Sequence, residues 1–160
     1  MQTAIQATPP KVVHTIPATI NLQEEVKNTH KQLRVAAYCR VSTKQEDQLN
    51  SYDVQRRAYT DKINGEPGWT MVGIYADKGI TGTSVKKRDD FNRLMRHCKQ
   101  GKVDMIITKS VARFARNTLD CLKHTRMLKE HNVDVYFEEQ GIHSIQPGAE
   151  FYITIYGSIA

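Results

Sequence analysis

A serine and several arginines are the residues of this chain that could act on a phosphodiester. Ser42 lies two residues after Arg40, directly behind the apolar run Val35–Tyr38. Because side chains two positions apart on a strand project from the same face, Arg40 and Ser42 are expected to point together. A second cationic pair, Arg113 and Arg116, follows later in the chain. A hydroxyl among guanidinium groups suits attack on phosphorus, because cations stabilise the charge of a phosphoryl transition state.

The elements that must position these residues alternate between strands and helices. Apolar runs predict strands at 35–38, 71–75, 103–108 and 133–137, and helical patterns predict helices at 43–65, 90–100, 117–131 and 149–160. Strands joined by helices imply a parallel sheet with right-handed crossovers. The predicted fold class is therefore α/β, with a mainly parallel central sheet flanked by helices in a flavodoxin-like sandwich.

Several polar residues follow the predicted strands at one edge of the sheet. Asp77 ends the second strand and Lys109 follows the third, so both are expected near Ser42 at the carboxyl edge, where open α/β sheets bind ligands. Thr43–Glu46 fits a capping box, which places Ser42 just before a helix N-terminus. Backbone N–H groups and the helix dipole favour a phosphate at such a position.

The charge of the chain indicates an anionic partner. The formal net charge is +6 and the sequence pI is about 9.3. Residues 86–116 hold ten Lys and Arg against three Asp, and this basic run ends in Arg113 and Arg116. If that last segment is helical, the spacing of three puts both guanidinium groups on one face, where they can grip one phosphate.

The cysteines and the hydropathy pattern indicate a cytoplasmic protein. Cys39, Cys98 and Cys121 have neither zinc-site spacing nor a preceding secretory signal, so we expect reduced, partly buried thiols. No apolar run approaches the length of a membrane span. There is also no P-loop, no zinc-protease motif and no dinucleotide-binding glycine motif.

In their order and spacing, these motifs resemble the catalytic domain of serine recombinases, the resolvase/invertase family, and particularly its large phage- and transposon-type integrases. Tyr38–Thr43 resembles the strand that carries the nucleophile, and Ser51–Gln55 resembles a motif on the first helix. Tyr75–Ser84 resembles the mobile loop with its aspartate. Arg88 matches the next catalytic arginine, and Ala112–Thr118 resembles the double-arginine motif.

The resemblance implies a mechanism in which Ser42 attacks a DNA phosphodiester. A 5′-phosphoserine link forms, a 3′-hydroxyl is released, and strand exchange and religation follow. Asp77 would orient an arginine or assist proton transfer, and Gln55 would position the phosphate. Because the link conserves the bond energy, the resemblance implies no cofactor, neither ATP nor a metal. The implied catalytic residues are Ser42, Arg40, Asp77, Arg88, Arg113 and Arg116, and the implied substrate-binding residues are Tyr38, Gln55 and Lys109.

The resemblance also implies partners and a division of the chain. The partners are double-stranded DNA and a second copy of the protein, in a homodimer that assembles into a tetrameric synapse, with no membrane. Residues 1–33 form a largely irregular N-terminal extension, 34–148 the catalytic domain, and 149–160 the start of a dimerisation helix. We expect a longer parent protein and no recombination by this chain alone. One departure is Ala112, where the family usually has Asp or Ser.

Other functions are compatible with the same residues. One is a resolvase-like module that binds DNA or protein without cleaving, which covalent capture of DNA by Ser42 would exclude. Another is a phosphate-ester hydrolase for a small molecule, against which the missing metal cluster and missing cysteine nucleophile loop argue. A tyrosine recombinase would need a surrounding set of Arg and His that the tyrosines here lack.

Overall fold

Five strands and five helices alternate along the part of the chain that the computed structural model describes, residues 32–41, 45–78 and 88–159. They are β1 (Leu33–Val41), α1 (Gln45–Gly65), β2 (Trp69–Lys78), α2 (Asp89–Lys99), β3 (Met105–Thr108), α3 (Val111–Phe114), α4 (Thr118–Glu130), β4 (Asp134–Phe137), β5 (Ile142–His143) and α5 (Ala149–Ile159). All four predicted strands and all four predicted helices are present.

The strands form one sheet in the order β2-β1-β3-β4-β5. The first four are parallel, and β5 runs antiparallel to β4. This order is that of flavodoxin-like sheets, so the predicted α/β fold class is confirmed. The strand β5 was not predicted from the sequence, because it has only two residues. Residues 138–141 are too few to form the crossover that a parallel strand requires, which explains the reversed direction of β5.

The first strand is longer than its apolar run predicts. It begins at Leu33, so the last residue of the predicted N-terminal extension belongs to the sheet, and residues 1–31 lie outside the described residues. Arg34 is accommodated in β1 by Asp104, which accepts from Arg34 Nε at 2.9 Å and from Nη2 at 2.7 Å. The predicted capping box falls partly on residues 42–44, which are also outside the described part, and α1 begins at Gln45.

Helices cover both faces of the sheet. On one face α1 packs Tyr59 and Ile63 against β1. On the other face α2, α3, α4 and α5 enclose the larger core, in which the ring of Tyr38 lies edge-on to Phe91 and Phe114 at centroid distances of 5.2 Å and 6.3 Å. Since side chains alternate along a strand, Arg40 leaves β1 on the same face as Tyr38.

The segment that carries Arg113 and Arg116 is not a single helix. The short helix α3 ends at Phe114, and Ala115 is extended, with φ −125° and ψ 167°. Asn117 is the N-cap of α4, and its side chain accepts from the backbone N–H of Asp120 at 2.8 Å. Because an N-cap residue has extended backbone angles, the chain leaves α3 before α4 can start. The segment is therefore not one helix, and the condition under which both guanidinium groups would share one helix face is not met.

The last helix, α5, is apolar on more sides than the domain covers. Ala149 and Ile153 are buried, whereas Phe151 and Ile159 keep 66% and 78% of their surface exposed. Within the described residues no helix combines the length and the apolar character that crossing a membrane requires. An apolar helix of this kind leaves a hydrophobic surface available for a partner.

Candidate active site

The predicted site residues gather at the carboxyl edge of the sheet. Arg40 near the end of β1 is in register with Asp77 near the end of β2, and Tyr38 is in register with Thr108, the last residue of β3. β1 lies between β2 and β3, so the crossover from β1 to β2 and the later crossover from β2 to β3 end on opposite sides of β1, and this edge is the topological switch point. Ser42 follows the last residue of β1 by one position and itself lies outside the described residues.

A buried network joins Tyr38, Asp77 and Arg88. The hydroxyl of Tyr38 donates to Asp77 Oδ2 at 3.0 Å. The same hydroxyl accepts from Arg88, at 2.9 Å from Nη2 and at 3.3 Å from Nε. Tyr38 has no exposed surface. The sequence predicts substrate contact for Tyr38, but its place in the core makes it a support for the charged residues around it.

Asp77 is held by three donors. Besides the Tyr38 hydroxyl, its oxygens accept from the backbone N–H of Asp90 at 3.1 Å and of Phe91 at 3.0 Å. Asp77 therefore caps the first turn of α2, where the helix dipole favours a carboxylate. The sequence predicts that Asp77 orients an arginine or transfers a proton. In the structure Asp77 does not contact Arg88 directly, because the hydroxyl of Tyr38 lies between them. Both oxygens of the carboxylate already accept hydrogen bonds.

The environment keeps Tyr38 in its neutral form. Burial raises the pKa of Tyr38, the nearby cation of Arg88 opposes this effect, and Asp77 adds to it, for a pKa of about 12. At neutral pH the phenol is therefore protonated and can donate to Asp77 while it accepts from Arg88. The hydroxyl thus links the carboxylate of Asp77 to the guanidinium of Arg88 through hydrogen bonds within the core.

Arg88 is fixed by groups from three elements. Its guanidinium carbon lies 3.6 Å from the ring centre of Phe91 in α2 and 5.3 Å from that of Tyr38 in β1. Its Nη2 also donates to the carbonyl oxygen of Phe114, at the end of α3. Cation–π contact and hydrogen bonds together hold the planar group in one orientation. Because α3 also carries Arg113, the position of this second arginine is tied to Arg88.

The positive charges of four arginines converge on this edge. Burial lowers the pKa of Arg40, and the positive charges of Arg113, Arg88 and Arg116 lower it further. Arg113 and Arg116 are exposed to solvent, and Arg40 is half-buried. Within the described part of the chain, neither Arg40 nor Arg113 forms an ion pair with an acidic side chain. The charges of Arg40 and Arg113 are therefore suited to an anionic group such as a phosphate.

The other predicted residues lie at the margin of this cluster or apart from it. Lys109 directly follows β3 but is paired with Glu139 at 3.5 Å, so part of its charge is already balanced. Gln55 lies on α1 with a half-buried side chain. Ala112 is on α3 and offers no polar group beside Arg113.

Two features of the site were not predicted from the sequence. Phe91 serves as the platform for Arg88, and its spacing of three residues from Arg88 on a helical pattern is a signal that could have indicated this contact. Thr108 has a fully buried hydroxyl with no hydrogen-bond partner among the described residues. Its position at the end of β3, beside Tyr38, makes it part of the same edge.

Comparison with known proteins gives a consistent result. Residues 35–160 match the family model described as "Resolvase, N terminal domain". The chain is 29% identical to the transposon Tn3 resolvase of Escherichia coli over 128 residues, which cover 80% of this chain and 62% of that protein. The chain thus spans less than two thirds of the curated relatives it matches.

Solved structures agree in fold. A resolvase family site-specific recombinase from Streptococcus pneumoniae superposes with a TM-score of 0.58 at 29% identity, covering 80% of this chain and 85% of that one. The N-terminal catalytic domain of TP901-1 integrase superposes with a TM-score of 0.56 at 21% identity, covering 79% and 92%. The second likeness concerns the fold alone.

Proposed function

Because the chain belongs to the resolvase family of serine recombinases, we propose that it supplies the catalytic domain of an enzyme that exchanges DNA strands at specific sites. The observation that carries the proposal is the convergence of Arg40, Arg88, Arg113 and Arg116 on the edge where β1 ends, one residue before Ser42. A phosphodiester is the anion that fits both the guanidinium cluster and the adjacent hydroxyl. In this proposal the catalytic domain comprises residues 34–148.

The reaction begins with attack of Ser42 on a phosphodiester of duplex DNA. The bond from Ser42 Oγ to phosphorus forms, and the bond from phosphorus to the 3′ oxygen breaks. The serine hydroxyl loses its proton and the departing 3′ oxygen gains one, so a 5′-phosphoserine link and a free 3′-hydroxyl result. After exchange, the 3′-hydroxyl of the other strand attacks the same phosphorus and releases the serine. The number of phosphoester bonds is unchanged, so no external energy source is required.

The arginines stabilise the charge that develops on the phosphate. Arg113 and Arg116 are exposed and present planar donors to the non-bridging oxygens, while Arg40 supplies a third cation beside the nucleophile. Removing one charge-stabilising donor from an active site typically costs about 2.7–4 kcal/mol in the transition state. The cluster is therefore large enough to account for a substantial part of the catalysis.

Asp77 and Tyr38 act as positioning residues in this mechanism. Both oxygens of the Asp77 carboxylate already accept hydrogen bonds, from Tyr38 and from the backbone of α2, so we assign it to positioning and not to accepting the proton of Ser42. Its role is to anchor the phenol that holds Arg88. Gln55 on α1 and Lys109 after β3 are assigned to contacts with the DNA around the reacting phosphate.

The exposed face of α5 supplies the contact with a second subunit. Phe151, Tyr152, Ile155, Tyr156 and Ile159 are all large apolar or aromatic side chains with at least 40% of their surface exposed. In this proposal residues 149–160 begin a dimerisation helix, and dimers pair in a tetrameric synapse on two DNA sites. The N-terminal extension, which precedes the start of β1 at Leu33, takes no part in this chemistry.

Covalent capture of DNA tests the proposed function. The full-length protein is incubated with a library of nicked duplexes, in which loss of a short 3′ segment after cleavage prevents religation. The wild-type protein should become linked to DNA through Ser42, as located by mass spectrometry, and Ser42→Ala should give no adduct. Ser110→Ala is the matched control, because this serine lies at the same edge, capping α3, and the adduct should persist. An adduct on another residue, or none with the wild type, would refute the proposal.

A further inference from the structure

Exposed cations extend from the candidate site along α2 and α4 without a role in the proposed chemistry. Arg96 and Lys99 lie on the solvent face of α2, and Lys123 lies on the solvent face of α4. Within the described part of the chain, none of the three forms an ion pair. We refer to Arg96, Lys99 and Lys123 as the α2–α4 cationic surface.

The α2–α4 cationic surface is continuous with the active site through His124. The half-buried ring of His124 lies edge-on to Phe91 at 4.9 Å, and Phe91 carries the guanidinium of Arg88 at 3.6 Å. Burial lowers the pKa of His124, and the positive charges of Arg88, Lys123 and Lys99 lower it further, with Asp120 opposing them. His124 is therefore within reach of the positive charges of Arg88, Lys99 and Lys123, which links one cation of each helix to the site.

The length of α2 suits a run of DNA phosphates. The helix begins directly after Arg88, and the rise from Arg88 to Lys99 is about 16 Å at 1.5 Å per residue. Each strand of duplex DNA carries one phosphate charge per about 3.4 Å of helix axis. The surface therefore extends over about five nucleotides from the position of the reacting phosphate.

A simpler reading explains only part of this arrangement. Arg96 and Lys99 lie in the last turn of α2, where cations interact favourably with the helix dipole. Lys123 lies in the interior of α4, far from such a terminus, and a dipole effect does not account for its position. An extended polyanion explains all three cations together.

We propose that the α2–α4 cationic surface binds the sugar–phosphate backbone of the duplex that flanks the cleaved phosphodiester. This inference rests on the proposed function for the identity of the polyanion. The contact is independent of sequence, because it involves phosphates alone, and it orients the duplex relative to Arg88. Its contribution is to affinity and alignment, and the chemical step remains with the arginines of the site.

The salt dependence of DNA binding tests this contact. Binding of a fluorescein-labelled 20-base-pair duplex is followed by anisotropy over a series of KCl concentrations, for the wild type and for the double variant Arg96→Ala/Lys99→Ala. Each lost phosphate contact should reduce the slope of log K against log salt by about 0.9, so the double variant should lose nearly two. The matched control is Arg57→Ala/Lys129→Ala, which removes two exposed cations, on α1 and on the last turn of α4, that form no ion pair with the residues the structure describes. Its slope should stay within about 0.5 of the wild-type value.

The outcomes separate this contact from the proposed function. Equal slope losses in both double variants, or no loss in the Arg96/Lys99 variant, would overturn the contact even if Ser42 still forms the DNA adduct. A selective slope loss without any adduct would support the contact and refute the strand-exchange chemistry. If the wild type does not bind the duplex, the surface serves another partner, such as an acidic protein, and the inference fails.

Discussion

Replacing Tyr38 with Phe tests the idea that a buried phenol supports the active-site cations. The substitution keeps the ring, which is fully buried and packs edge-on against Phe91 and Phe114. It removes one hydroxyl, and with it the donor to Asp77 and the acceptor for Arg88. The volume of the core hardly changes, so any effect reports on the hydrogen-bond network.

The expected loss of stability follows from the burial of Asp77. This carboxylate is 9% exposed, and losing a hydrogen bond to a buried charged group costs about 1.5–3 kcal/mol. Asp77 keeps two backbone donors, so we expect a value near the middle of that range, about 2 kcal/mol. For a domain of this size, each kcal/mol lowers Tm by about 2–4 °C, so the midpoint should fall by roughly 4–8 °C.

The assay combines thermal unfolding at pH 8 with single-turnover cleavage of a nicked duplex. Arg88 retains its contacts with Phe91 and with the carbonyl of Phe114, so cleavage should fall by about tenfold, which corresponds to about 1.4 kcal/mol. Tyr136→Phe is the control, because it removes a hydroxyl from β4, where the ring is stacked on His143 away from the site. A Tyr38→Phe protein with wild-type Tm and wild-type cleavage would refute the role assigned to the phenol.

Three further predictions follow from the site, the packing and the thiols. Arg113→Ala or Arg116→Ala should each reduce cleavage by about 2–4 kcal/mol of transition-state stabilisation, with little change in Tm. Replacement of either arginine by Lys should restore little of the cleavage, because Lys cannot form a planar fork. Near-normal cleavage by both Ala variants would show that the two arginines do not belong to the site. Gly157→Ala should lower the free energy of unfolding by about 1–3 kcal/mol, because the Cβ atom of the new alanine would overlap the side chain of Thr118. In a denaturant titration the double variant Thr118→Ala/Gly157→Ala should recover most of this loss. Burial raises the pKa of Cys39, Cys98 and Cys121 to about 12, so the contribution of the neutral thiols to the free energy of unfolding is complete below pH 9 and is lost as the pH rises toward 12. Urea titrations should show that roughly 2 kcal/mol of this free energy is lost per thiol by pH 10.5, with a smaller total loss in a Cys121→Ala variant.

The fold could be predicted because its local signals agree with the tertiary structure. The apolar run Val35–Tyr38 is a strand covered on both faces, and such strands have continuous hydrophobic sequences. The helix that follows Arg88 buries Phe91, Leu94, Met95 and Cys98, which are the residues that its periodicity indicates. The apolar pattern does not predict where a strand ends when its last residues are charged or polar. The strand β1 therefore extends beyond its apolar run at both ends.

The candidate site could be predicted as a set of residues but not as a network. Strand ends bring Arg40 and Asp77 together, because parallel register is implied by the alternating pattern. The bond from Tyr38 to Asp77 joins residues 39 positions apart, and the contact of Arg88 with Phe114 depends on where α3 ends. The end of α3 is determined by Asn117, the N-cap of the following helix. The spacing of three residues between Arg113 and Arg116 does not predict this break.

The hydrogen bonds of Arg88 use the donor geometry that distinguishes arginine from lysine. A guanidinium group has five N–H donors, and Arg88 uses Nε and both protons of Nη2 on Tyr38 and on the carbonyl of Phe114. The two protons of Nη1 are the donors left for a phosphate. A lysine has a single ammonium group on a flexible stem and cannot anchor itself on one side while presenting donors on the other. In the proposed mechanism Arg88 is therefore both a structural link between β1, α2 and α3 and a preorganised donor to the phosphate, whereas Arg113 and Arg116 are exposed to solvent.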